Sequence, residues 1–152
     1  MRDNTWLTEK LIFIHQTYFS DIIDGNEIEV KFGRANRTRL GSIAIREKAN
    51  KRMQLDRRKM KFLNADEVVS IITINGYFAR EDIPETVVEG ILAHEFCHFV
   101  HGFNSMRPKS FRNPHAGGII DQELKDRGFG DILKFQKRWI RKNWREYIKT
   151  HQ

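Results

Sequence analysis

The sequence contains very little cysteine and little proline. Its 152 residues include one cysteine, Cys97, and three prolines. A single thiol excludes an internal disulfide framework and any zinc finger or ribbon built on several cysteines. No apolar run approaches the roughly 20 residues that cross a bilayer, and the first ten residues lack a signal-peptide pattern. These absences predict a soluble, intracellular protein without a membrane partner, located in the cytoplasm or at a nucleoid or nucleus.

The charge of the chain is positive overall but unevenly distributed. The formal net charge is +7. Residues 34–62 carry 11 basic and 2 acidic side chains, and residues 104–152 carry 12 basic and 5 acidic ones. A polyanionic partner such as DNA would therefore meet these two segments rather than the whole surface. The same charges are also typical of a surface that only keeps a protein soluble, so both interpretations stay open.

The hydrophobic pattern predicts one α+β domain over residues 1–152. Apolar residues at three- and four-residue spacing predict a first helix over about 5–23, which Gly25 ends. Three apolar stretches then predict strands at 27–33, 40–47 and 68–74. The basic segment 46–62, between the last two strands, is either an exposed ribbon or a short helix.

A central helix is predicted from Pro84 to Gly102. Pro84 suits the first helical position because its φ is fixed and it lacks an N–H group, and Gly102 is a natural C-terminal stop. The elements predicted downstream are a loop (103–118), a short helix (about 119–127) and a long terminal helix (about 132–149) capped by Asp131. The expected architecture is thus a small, about three-stranded sheet packed on the central helix, with helices at both ends of the chain.

The central helix contains the pattern H-E-x-x-H, formed by His94, Glu95 and His98. Residues four apart lie side by side on a helix, so two imidazoles can bind one cation. Glu95 leaves the helix about 100° round from His94, where it can accept a proton from a water beside the cation. Zinc chemistry of this kind needs two neutral imidazoles and one carboxylate at this spacing. The pattern predicts one Zn²⁺ ion, with Glu95 as the catalytic general acid/base.

A third protein ligand is expected from outside this helix, because a catalytic zinc site uses three. His101 lies about 10 Å along the helix axis from His94, too far to share one tetrahedral ion. His115 is favoured, since the adjacent proline and glycines in R-N-P-H-A-G-G allow a sharp return toward the helix. Glu123 is the alternative third ligand, as in gluzincins. Whichever of His115 and Glu123 does not bind the ion would instead orient a ligand imidazole, and Asp121 is another candidate for that role.

Other residues near the motif have less specific predictions. Cys97 points away from the two histidines, which is typical of a buried, inert thiol. Peptide deformylases share H-E-x-x-H but take their third ligand from an upstream cysteine, which this chain lacks. An extended peptide substrate would pair with an exposed edge strand, either 40–47 or 68–74. The candidates for stabilising an oxyanion are Tyr77, His101 and Arg112.

The terminal helix 132–149 has an apolar face and a basic face. Trp139 and Trp144 lie on the apolar stripe, so they are expected in the core rather than as platforms for stacked bases. The basic face, together with segment 46–62, could instead follow a phosphate backbone. The candidate nucleic-acid contacts are Arg57, Arg58, Lys59, Lys137, Arg138, Arg141 and Arg145.

The stretch I-L-A-H-E-F-C-H-F-V-H-G, preceded by S-I-I-T-I-N-G and followed by P-H-A-G-G, resembles the SprT/Spartan group of zinc metallopeptidase domains. The resemblance covers most of residues 27–128. It implies a minimal zincin fold, zinc held by His94, His98 and His115, and Glu95 as catalytic acid/base. Members of the group include proteases that degrade proteins crosslinked to DNA. This sequence lacks the cysteine-rich zinc-binding tail of many members, so the DNA targeting that this tail supplies would come from elsewhere or be absent.

Three functions therefore remain open at the level of sequence. The first is a zinc endopeptidase that acts on DNA-bound or DNA-crosslinked proteins. The second is a gluzincin-like minimal peptidase with Glu123 as ligand and no nucleic-acid role. The third is a basic DNA-binding or adaptor module with a structural metal site, against which the intact Glu95 argues, because a structural site needs no base.

Overall fold

The computed structural model describes residues 1–152, apart from the side chain of Arg57. The predicted contact of Arg57 with nucleic acid therefore lies outside the described residues. Five α-helices and three strands form an α+β fold, and this prediction is confirmed. The strands are β1 (Glu27–Phe32), β2 (Gly41–Glu47) and β3 (Val68–Ile74). The helices are α1 (Asn4–Tyr18), α2 (Arg57–Met60), α3 (Glu85–Val100), α4 (Ile119–Asp126) and α5 (Gly130–Thr150).

Strand β3 lies at the centre of the sheet, whose order is β1–β3–β2. It pairs in parallel with β1 and antiparallel with β2. Six of its seven residues are buried, as expected for a nearly continuous apolar run that is covered on both faces. The prediction that 68–74 is an exposed edge strand is therefore wrong, because both of its edges are paired. β2 does form an edge strand.

Helix α1 ends five residues before the predicted boundary at residue 23. Its N-terminus is capped by Asp3, whose carboxylate accepts a hydrogen bond from the backbone N–H of Trp6 at 2.9 Å. The helix stops at Tyr18 because Phe19 leaves the helical conformation and becomes fully buried, with its ring edge-on to Phe96 at 4.9 Å. The apolar spacing continues to Ile22, which is buried from a turn instead of a helix.

The ends of α3 and α5 differ slightly from the predicted ones. Pro84 is the N-cap of α3 and not its first residue, while Gly102 follows the helix with a φ of 84°, which favours glycine. Helix α5 begins at Gly130, and its N-cap is Phe129 instead of Asp131. The carboxylate of Asp131 lies in the first turn, where it still faces the positive end of the helix dipole. Across the described part of the chain, no helix combines the length and apolarity needed to cross a membrane.

Helix α3 occupies the centre of the core. Twelve of its sixteen residues are buried, and it packs against the sheet, α1, α4 and α5. Helix α5 approaches it closely at Gly90, where an added Cβ atom would lie 2.6 Å from the Cβ of Gln136. Gly90 lies about one turn before His94, so this close approach places the basic helix α5 beside the H-E-x-x-H motif.

Candidate metal centre

Two imidazoles of α3 converge on one point. The Nε2 atoms of His94 and His98 lie 3.2 Å apart, because residues four apart share one face of a helix. Two nitrogens bound at 2.0–2.1 Å to one tetrahedral zinc ion lie about 3.3–3.4 Å apart. The separation in this structure therefore fits two ligands of the same ion, and no rearrangement of α3 is needed to bring them together.

His115 completes a group of three imidazoles. Its ring lies 4.8 Å from that of His98, and the ligand atoms of His94, His98 and His115 all lie within 4.8 Å of one another. These three residues are therefore close enough to bind a metal ion. The pair on α3 is already at the separation of two zinc ligands, so the longer distances in the group are those to His115, whose side chain is exposed.

The loop between α3 and α4 turns back toward α3 at His115. The side-chain oxygen of Asn113 accepts a hydrogen bond from the backbone N–H of His115 at 3.0 Å, which forms a local turn. Gly117 and Gly118 follow with φ values of 61° and 68°, a conformation that side chains with a Cβ rarely adopt. The predicted sharp return at R-N-P-H-A-G-G thus has these glycines and an asparagine turn as its physical basis.

The two histidines of α3 are held in the neutral form that binds cations. Burial, together with the charge that neighbouring histidines would carry, lowers the pKa of His98 to about 4. Burial also lowers the pKa of His94, although Asp121 opposes this shift. The Nδ1 atom of His98 is buried and has no hydrogen-bond partner among the described residues, so no hydrogen bond at this nitrogen orients the ring. Both imidazoles are neutral at pH 7, with a lone pair available for a metal.

Glu95 lies beside this group in a largely apolar setting. Its side chain is buried, and burial raises its pKa to about 7, against a weaker opposing effect of Arg39. The start of β2 runs directly against it. A Cβ atom added at Gly41 would lie 3.2 Å from the Cγ and 3.3 Å from the Oε1 of Glu95. Glycine at this position therefore leaves room for the carboxylate.

The metal-free protein should lose stability through Glu95 as the pH rises. The pKa of about 7 lies above the ordinary 4.5, so the folded protein keeps a proton that the unfolded chain releases above pH 4.5. This stabilisation is complete below pH 4.5 and is lost as the pH rises through 7. His98 acts in the opposite sense between about pH 4 and 6.5, where the unfolded chain holds the additional proton.

A comparison with Glu95→Gln isolates the carboxyl group, because glutamine does not ionise and His98 is common to both proteins. In chelator, the variant should match wild type near pH 4 and exceed its unfolding free energy at pH 8 by on the order of 3 kcal/mol. Urea denaturation across this pH range measures the difference. Parallel stability curves for the two proteins would show that the Glu95 carboxyl has an ordinary pKa.

An open cleft of about 1120 Å³ contains the three histidines and Glu95. One wall is formed by residues 39–43, which lead into the edge strand β2, and another by the loop that carries His115. The third wall combines the first turn of α4 with one side of α5. Helix α5 contributes Gln136, Lys137, Ile140 and Arg141 to it. The convergent imidazoles are therefore accessible to a large ligand.

Glu123, the alternative third ligand, is not part of the histidine group. Its two carboxylate oxygens accept hydrogen bonds from His101 Nε2 and Arg127 Nε, both at 3.0 Å. Asp121 lies on the other side of α4, since residues two apart differ by about 200° around a helix. It lines the cleft and forms an ion pair with Lys137. Glu123 thus orients His101, which is not one of the three grouped histidines. The prediction that Glu123, if it is not a ligand, orients a ligand imidazole is therefore wrong.

Of the other described residues singled out near the motif, only one lines the cleft. Of the three oxyanion candidates, Arg112 lines the cleft, whereas His101 is buried beside Glu123 and Tyr77 packs edge-on to Trp144. Cys97 is fully buried, and burial raises the pKa of its thiol to about 12, in agreement with the predicted inert cysteine.

The candidate nucleic-acid residues divide into three groups. Lys137 and Arg141 line the cleft, while Arg138 and Arg145 are exposed on α5 outside it. The exposed side chains of Arg58 and Lys59 lie on α2. The two tryptophans belong to the apolar side of α5, as predicted: Trp144 is buried and Trp139 is half-buried.

Three features of the site have no signal in the sequence. Arg39 and Lys109 line the cleft, but each is one basic residue among many in a charged segment. Gly41 contacts Glu95 across 54 positions of the chain, which only the packing of β2 on α3 explains.

Comparisons of the chain with protein-family models, with curated proteins and with solved structures find no match.

Proposed function

We propose that this protein is a zinc-dependent endopeptidase. His94, His98 and His115 would hold one zinc ion, and Glu95 would act as general acid/base. The observation that carries this proposal is the convergence of three imidazoles beside a buried carboxylate in an open cleft. The SprT-like resemblance of the motifs is consistent with this assignment.

The donor set fits zinc, which accepts neutral imidazole nitrogen and leaves a coordination position open in catalytic sites. When bound, the ion would lower the pKa of a water molecule and polarise the carbonyl of the scissile amide. Glu95 would accept a proton from that water on a carboxylate oxygen and deliver it to the departing amine nitrogen. Burial raises the pKa of Glu95 in the metal-free protein, and a bound cation would oppose this shift and favour the carboxylate that accepts the proton.

The edge strand β2 supports a polypeptide substrate. No described strand pairs with its second edge, and residues 39–43 border the cleft beside Glu95. The Ile43 carbonyl accepts a hydrogen bond from the side chain of Asn104 at 3.2 Å, which an added peptide would replace. An extended peptide could therefore add to β2 through main-chain hydrogen bonds, which give affinity without strong dependence on side chains. Arg112 is the one predicted oxyanion candidate that lines the same cleft.

Removal of the metal tests the proposal. We expect chelator-treated protein to lose cleavage of a fluorescently labelled unfolded protein, and one molar equivalent of zinc to restore it. The matched control is His101→Ala, since this buried histidine lies outside the three-histidine group and its loss should leave the zinc requirement unchanged. Cleavage that persists in chelator with no bound metal would contradict the proposal.

Contact with DNA is a second candidate property, favoured by the exposed basic side of α5. Arg138 and Arg145 are exposed there, and neither forms an ion pair with a described side chain. Uncompensated cations along one helix face suit a phosphate backbone. This surface points outside the cleft, so DNA contact and cleavage would use different parts of α5.

A further inference from the structure

The cleft around the three histidines is lined by more positive than negative charge. Its acidic side chains are Glu95, which is largely buried, and Asp121. The basic side chains in its walls are Arg39, Lys109, Arg112, Lys137 and Arg141. A concave surface with one sign of charge concentrates the field and attracts ligands of the opposite sign.

Four of these five cations have no ion-pair partner among the described side chains, and three of the four are arginines. Lys137 is paired with Asp121, whereas Lys109 forms no such ion pair and its ammonium group lies over the Phe103 ring, 5.0 Å from the ring centre. Arg39, Arg112 and Arg141 likewise form no ion pair with any described side chain. All three are exposed, so their guanidinium groups are free to bind a ligand.

The three arginines lie on different walls of the cleft. Arg39 lies two residues before the edge strand β2, Arg112 lies in the loop that carries His115, and Arg141 is on α5. These arginines come from three different elements around the cleft, whereas Arg138 and Arg145 lie on one helix outside it. The three cleft arginines fit a ligand that passes through the cleft with negative groups on both sides of the reacting atoms.

We propose that the cleft selects polypeptide segments with aspartate or glutamate side chains on both sides of the scissile amide. This inference rests on the proposed peptidase function and names its substrate class. Guanidinium groups bind carboxylates through two parallel hydrogen bonds, which favours arginine for this role. A main chain paired with β2 would present such side chains toward the walls that carry the arginines.

The lining favours acidic peptide over nucleic acid. Proteins that bind single strands place aromatic rings where successive bases can stack. Phe103 is the one phenylalanine, tyrosine or tryptophan among the described residues that line the cleft, and Lys109 covers its ring. Trp144 is buried against Phe78 instead, with their rings stacked at 5.0 Å.

Peptides of equal length test this preference. Each has the same neutral centre, flanked on both sides by glutamate, glutamine or lysine. At low ionic strength we expect kcat/KM to be at least about tenfold higher for the glutamate peptide than for the glutamine peptide, and lowest for the lysine peptide. Equal values for the glutamate and glutamine peptides would overturn the inference while leaving the peptidase proposal intact.

Adjacent residues of α5 offer a matched pair of variants. Arg141 lines the cleft, whereas Lys142 is exposed outside it, and replacement by glutamine removes one positive charge in each case. Arg141→Gln should reduce the preference for the glutamate peptide by about threefold to fivefold, and Lys142→Gln should leave it unchanged. Both variants should keep the zinc content of wild type. An equal reduction in both variants would show that only the overall charge of the protein matters, and would overturn the inference.

A binding measurement separates this inference from the peptidase proposal. Fluorescence anisotropy of the labelled glutamate peptide with Glu95→Gln protein requires no turnover. Weaker binding to the Glu95→Gln/Arg141→Gln protein supports the inference, whether or not the wild-type protein cleaves any peptide. If the wild-type protein cleaves none, the peptidase proposal fails and the binding preference still stands. If a single-stranded oligonucleotide of equal charge displaces the labelled peptide at lower concentration than unlabelled glutamate peptide does, the cleft is a nucleic-acid site and the inference is overturned.

Discussion

Replacement of Glu95 by glutamine should reduce kcat for peptide cleavage by about 10²–10⁴-fold, the contribution typical of one general acid/base. Glutamine has nearly the same shape but cannot accept the proton that the carboxylate accepts in our proposal. The zinc content and the fold should persist, because Glu95 does not belong to the group of three histidines that would bind the ion. Steady-state kinetics together with metal analysis of the same sample measures both effects.

Glu89→Gln is the matched control for this variant. Glu89 lies on the same helix and undergoes the same chemical change, but its partner is Lys10 and it is outside the cleft. We expect this control to keep wild-type kcat, with a loss of stability of about 1 kcal/mol from the partly buried ion pair. A Glu95→Gln protein as active as the control would refute the assigned role of Glu95.

Replacement of His115 by alanine should weaken zinc binding by more than about 100-fold, since the loss of an outer-shell partner alone weakens it 10–100-fold. The comparison variant is Glu123→Gln, which changes the alternative ligand. Glu123 binds His101 and Arg127 in this structure, so its replacement should lower the unfolding temperature but leave the zinc affinity close to wild type.

Competition with a chromophoric zinc chelator measures both affinities, and circular dichroism checks that each variant is folded. The opposite result, in which Glu123→Gln loses zinc and His115→Ala retains it, would assign the site to the gluzincin-like alternative. His101 would then be displaced from its present partner, which a change in the NMR chemical shifts of its ring would reveal.

The parts of the site that lie on one helix were predictable from sequence. The four-residue spacing of His94 and His98 determines their convergence through helix geometry alone, whatever the rest of the fold does. The strands were predictable for a related reason, because alternating or continuous apolar residues report directly on which faces are covered. Strand β3 begins and ends at the predicted residues, 68 and 74.

The parts that depend on contacts between distant segments were not predictable. The order of the strands places β3 in the centre; its apolar run reports that both faces are covered, but does not determine which strands pair with its two edges. The early end of α1 depends on the burial of Phe19 against Phe96, about 77 positions away in the chain. The direction of Glu123 depends on how α4 is rotated against the core. His115 was favoured over it from loop composition, but only the packed structure shows that Glu123 has other partners.

The central claim is that three imidazoles of this chain hold one ion whose remaining position stays open beside Glu95. X-ray absorption spectroscopy of the protein loaded with one equivalent of zinc tests this claim most directly. We predict three imidazole nitrogens at about 2.0–2.1 Å and one oxygen from solvent, with one nitrogen lost in His115→Ala. A sulfur ligand, a fourth protein ligand in the wild type, or an unchanged spectrum in His115→Ala would contradict the claim.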